Sequence, residues 1–217
     1  MHVVALATQK GGTGKSSLAV SLAVAARERG LKVFVLDMDP QGTARNWYQR
    51  RKTPHPQVGT IEPSRLPAAL ERLRSMGCDL VLLDTPGFDA PAATASLQEA
   101  HLCLIPARPS IVDIEATIPT VRSLTKLGRH FAFVLTQCPS GPTPRASDAY
   151  RALQLDGVVA GTAVVMRVDH VDALAHGLGV TELSPTGKAA AEIRDLLLWA
   201  LNRMQSKWNP EESARVA

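Results

Sequence analysis

The sequence predicts an α/β fold with a predominantly parallel central sheet and helices on both faces. Short apolar runs of four or five residues recur along the chain, and longer segments with helical spacing separate them. Strands of parallel sheets are buried on both faces, so they appear as continuous apolar runs and not as an alternating pattern. Because strand and helix alternate, each helix is expected to cross from one parallel strand to the next.

Five apolar runs are predicted as strands and five longer segments as helices. The strands are residues 3–7, 33–36, 80–83, 102–105 and 131–135, and the helices are residues 16–29, 65–76, 90–100, 114–127 and 188–204. Two segments rich in proline, residues 53–67 and 139–144, are predicted as surface loops because proline disrupts both helices and strands. The apolar side chains of the last helix are expected to pack in the core.

Composition favours one folded domain, predicted over residues 1–208, followed by a disordered polar tail at 209–217. The 217 residues are 45% hydrophobic, which excludes an intrinsically disordered protein.

The three cysteines form no CxxC pair, so the sequence indicates neither a disulfide framework nor a zinc site. No apolar run is long enough for a signal peptide or a membrane span, which predicts a cytoplasmic protein. The net charge of +4 is compatible with a polyanionic partner.

A glycine-rich segment follows the first predicted strand and precedes a helix, as in phosphate-binding loops. It comprises Gln9, Lys10, Gly11, Gly12, Thr13, Gly14, Lys15, Ser16 and Ser17. In such loops, backbone N–H groups surround the phosphates, the lysine neutralises phosphate oxygens and the hydroxyl after it binds Mg²⁺. Glycines after a strand also make simple turns, but the order of strand, loop, Lys15, Ser16 and helix favours a nucleotide site. Glutamine occupies the first glycine position of the ordinary GxxxxGK[ST] pattern.

Carboxylates follow two further predicted strands. Asp37 and Asp39 end the run at residues 33–36, and Asp84 ends the run at 80–83, shortly before Gly87. Ligands of parallel α/β folds bind at the carboxyl ends of the strands, where these carboxylates are expected to meet. Mg²⁺ keeps most of its water and needs only one or two carboxylates, which Asp39 and Asp84 could supply. The alternatives left open are a turn at Asp39 and a helix cap at Asp84.

The segment KGGTGKSS resembles the deviant Walker A motif of the ParA/MinD family of ATPases. This resemblance implies that Lys10 reaches the phosphates of a second subunit in an ATP-dependent homodimer, where its charge acts like an arginine finger. It implies that residues 10–17 bind ATP and that Lys10, Lys15 and Asp39 are catalytic, with Asp39 positioning the attacking water.

The other motifs of that family extend the resemblance to the metal and to the switch residues. DMDPQG and LDTPG resemble its second aspartate motif and its Walker B motif. They imply that Ser16, Asp39 and Asp84 hold Mg²⁺, the carboxylates through water, and that Gly87 senses the γ-phosphate. The segment ending at Asp113 resembles the proline-rich turn beside the dimer interface, which makes Asp113 a further switch candidate.

The family resemblance implies a ParA-like ATPase that binds DNA nonspecifically and positions a plasmid, chromosome or protein cargo. Hydrolysis would be stimulated by a ParB-like or cargo-linked activator, and the protein would associate with the nucleoid. The alternative is a MinD-like regulator at the membrane, although direct membrane binding is not expected from the acidic C-terminal end. An electron-transfer reductase is disfavoured because Cys103 lies inside a predicted strand and Cys78 precedes one, so neither lies on a loop suited to a shared cluster.

Basic residues are the candidates for DNA contact, because lysine and arginine neutralise phosphates without reading bases. The resemblance implies Arg167 and Lys188. A separate acid-free cluster contains Arg45, Arg50, Arg51 and Lys52, and an ordinary solvated surface is an equally good interpretation of it. Gln137 stands where many relatives carry an asparagine that contacts the base, and a plain surface role is left open for it.

Overall fold

The computed structural model describes residues 1–87 and 91–205, which form a six-stranded parallel sheet with helices on both faces. The strands are β1 His2–Leu6, β2 Val33–Asp37, β3 Gln57–Thr60, β4 Leu80–Asp84, β5 Leu102–Ala107 and β6 Phe131–Leu135. Their order across the sheet is β3-β2-β4-β1-β5-β6, and every neighbouring pair is parallel. The predicted fold class is confirmed.

Helices connect the strands and cover the two faces of the sheet. They are α1 Lys15–Glu28, α2 Thr43–Arg50, α3 Leu66–Ser75, α4 Pro91–Glu99, α5 Ile111–Glu115, α6 Ile118–Lys126, α7 Pro144–Asp156, α8 Val168–Ala175, α9 Val180–Leu183 and α10 Lys188–Gln205. One face packs against α1, α2 and α8–α10, and the other against α3, α4, α6 and α7. The sheet is therefore buried on both sides, as its continuous apolar strands require.

The strand register brings three chain segments together at one edge of the sheet. Leu6, the last residue of β1, is paired with Asp84 at the end of β4, and Asp84 is paired with Asp37 at the end of β2. The segment that follows β1 therefore emerges beside two carboxylates. This is the carboxyl edge of a parallel sheet, where α/β folds bind their ligands.

The segment 53–67 was predicted as a loop, and that prediction is wrong in part because it contains β3. This strand pairs with β2 at the edge of the sheet. Its four residues include one large apolar side chain, Val58, and prolines flank it at positions 56 and 63. Since an edge strand needs only one buried face, the apolar signal is weak, and the pairing comes from the neighbouring strand.

The predicted helix 114–127 is two helices in the structure, α5 and α6. The chain breaks near Thr117, where Pro119 occupies the first turn of α6 and cannot donate a backbone hydrogen bond. The other proline-rich segment is a loop up to Thr143, whose hydroxyl caps α7, and Pro144 then begins that helix. Residue 90, the predicted start of α4, and the predicted tail at 209–217 lie outside the described residues.

The last helix, α10, spans almost the predicted range and packs its apolar side chains into the core. Ile193, Leu196, Leu197 and Ala200 are buried in the cluster that also contains α1. In residues 1–87 and 91–205, no helix combines the length and the apolar character needed to cross a membrane.

Candidate nucleotide-binding site

The glycine-rich segment forms a loop that links β1 to the first turn of α1. Gly12 and Gly14 adopt positive φ angles of 76° and 94°, a region that residues with a Cβ rarely enter. The helix starts directly at Lys15, and Leu18 donates its N–H to the Gly14 carbonyl at 2.9 Å. The loop therefore ends at a helix N-terminus, whose free N–H groups and positive dipole favour an anion.

Lys15 is held inside this loop. Its side chain is 7% exposed, and Nζ donates to the carbonyls of Thr8 and Lys10, both at 3.3 Å. Burial lowers the pKa of Lys15, while the nearby carboxylates of Asp84 and Asp39 oppose that shift. These hydrogen bonds to neutral carbonyls are long, and an ammonium group binds anionic oxygens more strongly. Lys15 Nζ is therefore expected to exchange the carbonyls for phosphate oxygens when a nucleotide binds.

Asp84 is the most deeply buried carboxylate of the site, with 0% exposure. Neither of its oxygens has a hydrogen-bond partner of normal geometry within the part of the chain that the structure describes. Burial raises the pKa of Asp84 to about 7, and the charges of Asp37 and Asp39 add to the increase, whereas Ser16 and Lys15 act against it. A buried carboxylate without donors is costly, which indicates that a ligand completes this site.

The residues around Asp84 fit a Mg²⁺ ion. Two orphaned carboxylate oxygens and the nearby Ser16 hydroxyl are hard oxygen donors, and magnesium fills its other positions with water and phosphate. Asp39 is only half buried and accepts a hydrogen bond from the Gln41 N–H at 2.9 Å. Its partly exposed position at the same edge suits a water-mediated role.

Asp37, which was not among the predicted site residues, holds the loop that carries Asp39. Its two carboxylate oxygens accept hydrogen bonds from the N–H groups of Asp39 at 3.1 Å and Arg45 at 2.8 Å. Burial raises the pKa of Asp37, and these backbone hydrogen bonds oppose the rise. The sequence signal was the pair of aspartates two positions apart, of which the first supports the position of the second.

Gly87 lies directly against the phosphate loop. A Cβ atom at this position would be 3.2 Å from Lys15 Nζ and 3.4 Å from the Cα of Gly11. The segment after β4 therefore approaches Lys15 at a distance that only glycine allows without displacement. This contact suits the predicted role of Gly87 as a sensor of the nucleotide.

Asp113 is buried at the start of α5, on the side of the loop that carries Lys10. Arg108 Nε donates to its carboxylate at 2.8 Å, and Ser110, the N-cap of α5, forms a hydrogen bond with it as well. Burial alone would raise the pKa of Asp113, but the Arg108 and Ser110 hydrogen bonds and the Lys10 charge lower it overall. The switch role of Asp113 and the cross-subunit role of Lys10 remain predictions.

A cavity of about 250 Å³ opens beside the phosphate loop, and Gly14 is part of its lining. It is mostly apolar, and its lining includes Ser17, Leu18, Gln137, Met166 and His170. The volume and the position next to a phosphate loop suit a nucleobase with its sugar. Gln137 lines this cavity, but its Nε2 donates to the Gly12 carbonyl at 2.7 Å.

The structure separates the basic residues into engaged and exposed groups. Arg167 forms an ion pair with Glu192 at 2.6 Å, and Arg51 forms one with Glu182 at the same distance. Arg50 donates to the Leu174 carbonyl. Lys188 is exposed at the start of α10. DNA contact by Arg167 and Lys188 remains a prediction. Arg50 and Arg51 link the end of α2 to α8, to α9 and to the segment between those two helices.

Comparison with known proteins gives consistent matches over most of the chain. Residues 4–197 match the model of the CobQ/CobB/MinD/ParA nucleotide-binding domain. The chain is 35% identical to the maintenance of carboxysome distribution protein A of Gloeobacter kilaueensis, covering 88% of each chain. It is 28% identical to the chromosome-partitioning ATPase Soj of Thermus thermophilus, covering 93% of this chain and 96% of that protein.

A solved structure supports the fold independently of sequence. The septum site-determining protein MinD of Pyrococcus horikoshii, complexed with Mg-ADP, superposes with a TM-score of 0.75 at 18% identity. The match covers 95% of this chain and 99% of that chain. At this level of identity the likeness concerns the fold.

Proposed function

The chain belongs to the CobQ/CobB/MinD/ParA family of nucleotide-binding domains, and on that premise we propose that it is a Mg²⁺-dependent, ParA-like positioning ATPase. It closes into a homodimer on ATP, binds DNA nonspecifically and distributes a cargo when a partner protein stimulates hydrolysis. Relatives that match most of the chain are a carboxysome distribution protein and a chromosome-partitioning ATPase. These relatives support the role in positioning.

The observation that carries the nucleotide site is the arrangement around Lys15. A buried ammonium group lies between two loop carbonyls, and nearby Asp84 has two buried oxygens without donors. Triphosphate and Mg²⁺ would satisfy both groups at once, because the ammonium group gains anionic acceptors and the carboxylate gains a cation. When bound, Mg²⁺ would neutralise charge that develops on the phosphates.

The chain's own residues then divide the work of hydrolysis. Lys15 binds the phosphates, and the N–H groups of the loop and of the first turn of α1 orient them. Asp39, held by Asp37, orients water from the exposed side of the sheet edge. Lys10 of a second copy supplies positive charge to the transferred phosphoryl group, so one subunit alone hydrolyses ATP slowly.

Sedimentation of the purified protein tests this proposal. We expect a monomer with Mg-ADP and a dimer with Mg-ATP or a slowly hydrolysed analogue, and capture of nonspecific duplex DNA only by the dimer.

Lys15→Ala should abolish ATP binding, whereas Lys10→Ala should bind ATP without hydrolysing it. Lys126→Ala, at an exposed site on α6, is the matched control. A triphosphate-loaded protein that stays monomeric at every concentration would contradict the dimer.

DNA binding is tested most cleanly at Lys188, because Arg167 already carries an ion pair. Lys188→Glu should weaken DNA capture and reduce its salt dependence, while the affinity for ATP stays unchanged. Arg167→Glu should also weaken capture, but it places a second carboxylate beside Glu192. Equal DNA capture by the parent and both variants at several salt concentrations would remove these two residues from the DNA surface.

A membrane role of the MinD kind is the alternative function. The apolar side chains of α10, which an amphipathic membrane helix would present to lipid, are packed against α1. Co-sedimentation with vesicles of anionic phospholipid separates the two functions. Binding of the ATP form to vesicles but not to duplex DNA would favour the alternative.

A further inference from the structure

Two consecutive residues after β6 hold two consecutive carbonyls of the phosphate loop. The buried Thr136 hydroxyl donates to the Thr13 carbonyl at 2.9 Å, and Gln137 Nε2 donates to the Gly12 carbonyl at 2.7 Å. We propose that Thr136 and Gln137 are positioning residues that fix the phosphate loop in its anion-binding conformation. This inference rests on the proposed nucleotide site and adds a specific device to it.

Peptide geometry explains how these bonds act on the loop. In a trans peptide unit, the carbonyl of one residue and the N–H of the next point in opposite directions. When the carbonyls of Gly12 and Thr13 are turned toward Thr136 and Gln137, the N–H groups of Thr13 and Gly14 must point away from them. Two side-chain bonds therefore set the orientation of two successive N–H groups in the glycine-rich loop, and such groups make anion-binding concavities.

The backbone at Gln137 shows that this position is built for the contact. Its φ angle is 51°. No other non-glycine residue among residues 1–87 and 91–205 has a positive φ angle. A side chain makes this conformation unfavourable, so the surrounding structure must impose it. The flanking residues do so, because Thr136 donates its N–H to Ala107 at 2.9 Å and Cys138 donates its N–H to Val164 at 3.2 Å.

Flexibility of the loop makes this support necessary. Gly12 and Gly14 both have positive φ angles, and glycine has the widest choice of backbone conformations when it is free. The bonds from Thr136 and Gln137 join the loop to a segment more than a hundred residues away. They therefore restrict the loop before the ligand arrives, which reduces the ordering that binding would otherwise require.

The competing role for Gln137 is direct contact with the base, since it also lines the neighbouring cavity. The hydrogen bond to Gly12 fixes the side-chain amide, because a carbonyl acceptor requires the nitrogen and not the oxygen. A residue that acts through the loop should affect all nucleotides equally. A residue that contacts the base should distinguish bases that differ at the 6 position.

Competition binding with ATP and ITP, whose bases differ by a 6-amino and a 6-oxo group, tests the proposal. Each nucleotide displaces a fluorescent ADP analogue from the parent and from Gln137→Leu and Gln137→Gly in the presence of Mg²⁺. We expect both variants to lose roughly three- to tenfold in affinity for ATP and for ITP alike, the effect of one lost hydrogen bond. Gln154→Leu, at an exposed position on α7, is the matched control and should bind as the parent does.

Unfolding by urea without nucleotide separates a loss of stability from a loss of nucleotide binding. If Gln137 only stabilised the fold, the two would change together. Gln137→Gly relieves the left-handed conformation, so it should be as stable as the parent or more stable and still bind nucleotide more weakly. Parental affinity in both variants would overturn the proposal, and so would a loss confined to ATP, which would mark a base contact. A parent that binds no nucleotide would instead contradict the proposed function itself.

Discussion

Gly87 packs against Lys15 so closely that a Cβ atom at position 87 would be 3.2 Å from the Lys15 ammonium nitrogen. The contact joins the end of β4, which carries Asp84, to the phosphate loop after β1. A movement of Lys15 toward a phosphate therefore changes its contact with the segment that follows Asp84. This relationship gives the Asp84–Gly87 segment a physical means of responding to the nucleotide.

The Gly87→Ala variant tests this contact. The added methyl group would lie 3.2 Å from Lys15 Nζ, so the ammonium group must shift by a few tenths of an ångström, whereas the backbone of Gly11 stays in ordinary van der Waals contact. We expect ATP hydrolysis to fall about tenfold or more, as expected when a catalytic group is displaced by a fraction of an ångström. Gly161→Ala is the control, because a Cβ atom there meets nothing within 4 Å. Parental turnover in Gly87→Ala would show that the segment adapts without affecting catalysis.

Replacement of Asp39 should separate nucleotide binding from hydrolysis. Its neighbour Asp37 makes the hydrogen bonds that hold the loop, so Asp39→Ala leaves those bonds in place. We expect ATP affinity to remain, hydrolysis to fall at least a hundredfold, and the dimer to persist with ATP in sedimentation. Asp195→Ala, at an exposed site on α10, should behave as the parent. Turnover at the parental rate in Asp39→Ala would remove this carboxylate from catalysis.

Histidines at the opposite edge of the sheet should make stability depend on pH. The Val3 N–H donates to Nδ1 of His101 at 2.9 Å, which requires a neutral ring. Burial lowers the pKa of His101, and the charges of His2, Arg74 and the N-terminus lower it further. Because the folded pKa lies below the unfolded value, this stabilisation is complete above about pH 6.5 and is lost as pH falls through the folded pKa.

The variant His101→Asn keeps an acceptor near Val3 and removes the titration. We expect the parent to be less stable at about pH 5.5 than at about pH 7.5 in urea unfolding, and the difference to be smaller in the variant. The pKa values of His2, His130 and His170 are also lowered, first by burial, so part of the dependence should remain. An identical pH dependence in both proteins would contradict the role of His101.

The sequence predicted the parts of the fold that depend on local pattern. The apolar strands are long enough to be recognised singly, and the glycines, Lys15 and Ser16 occupy consecutive positions. Asp84 was predictable because it directly follows a buried run. The strand β3 was not, since Val58 alone supplies its apolar signal and the pairing with β2 decides its conformation.

Contacts between segments that are distant along the chain could not be predicted from the sequence. Gln137 was predicted as a possible base contact, but its hydrogen bond to Gly12 joins residues 125 positions apart. Arg51 was a candidate for DNA contact by its charge, and its partner Glu182 lies 131 positions away. Charge patterns show which residues carry a charge, whereas the fold decides which of those charges are already neutralised.

Arg51 should therefore contribute mainly to stability. Its side chain is 3% exposed, donates to both oxygens of Glu182 and to the Gly177 carbonyl, and lies over the ring of Trp47 at 5.0 Å. We expect Arg51→Ala to lower the free energy of unfolding by about 2–3 kcal/mol, less than for a fully buried pair because Glu182 is 33% exposed. Lys52→Ala, at the exposed neighbouring position, should change it by less than about 0.5 kcal/mol.

The variant Arg51→Lys distinguishes a structural arginine from a DNA-binding one. Lysine keeps the charge but cannot form the paired hydrogen bonds to Glu182 or stack on Trp47 in the same way. We expect urea unfolding to show most of the loss seen in Arg51→Ala, while the ATP-loaded protein that remains folded captures duplex DNA as the parent does. Parental stability in Arg51→Lys together with weaker DNA capture in Arg51→Ala would assign this side chain to the DNA surface instead.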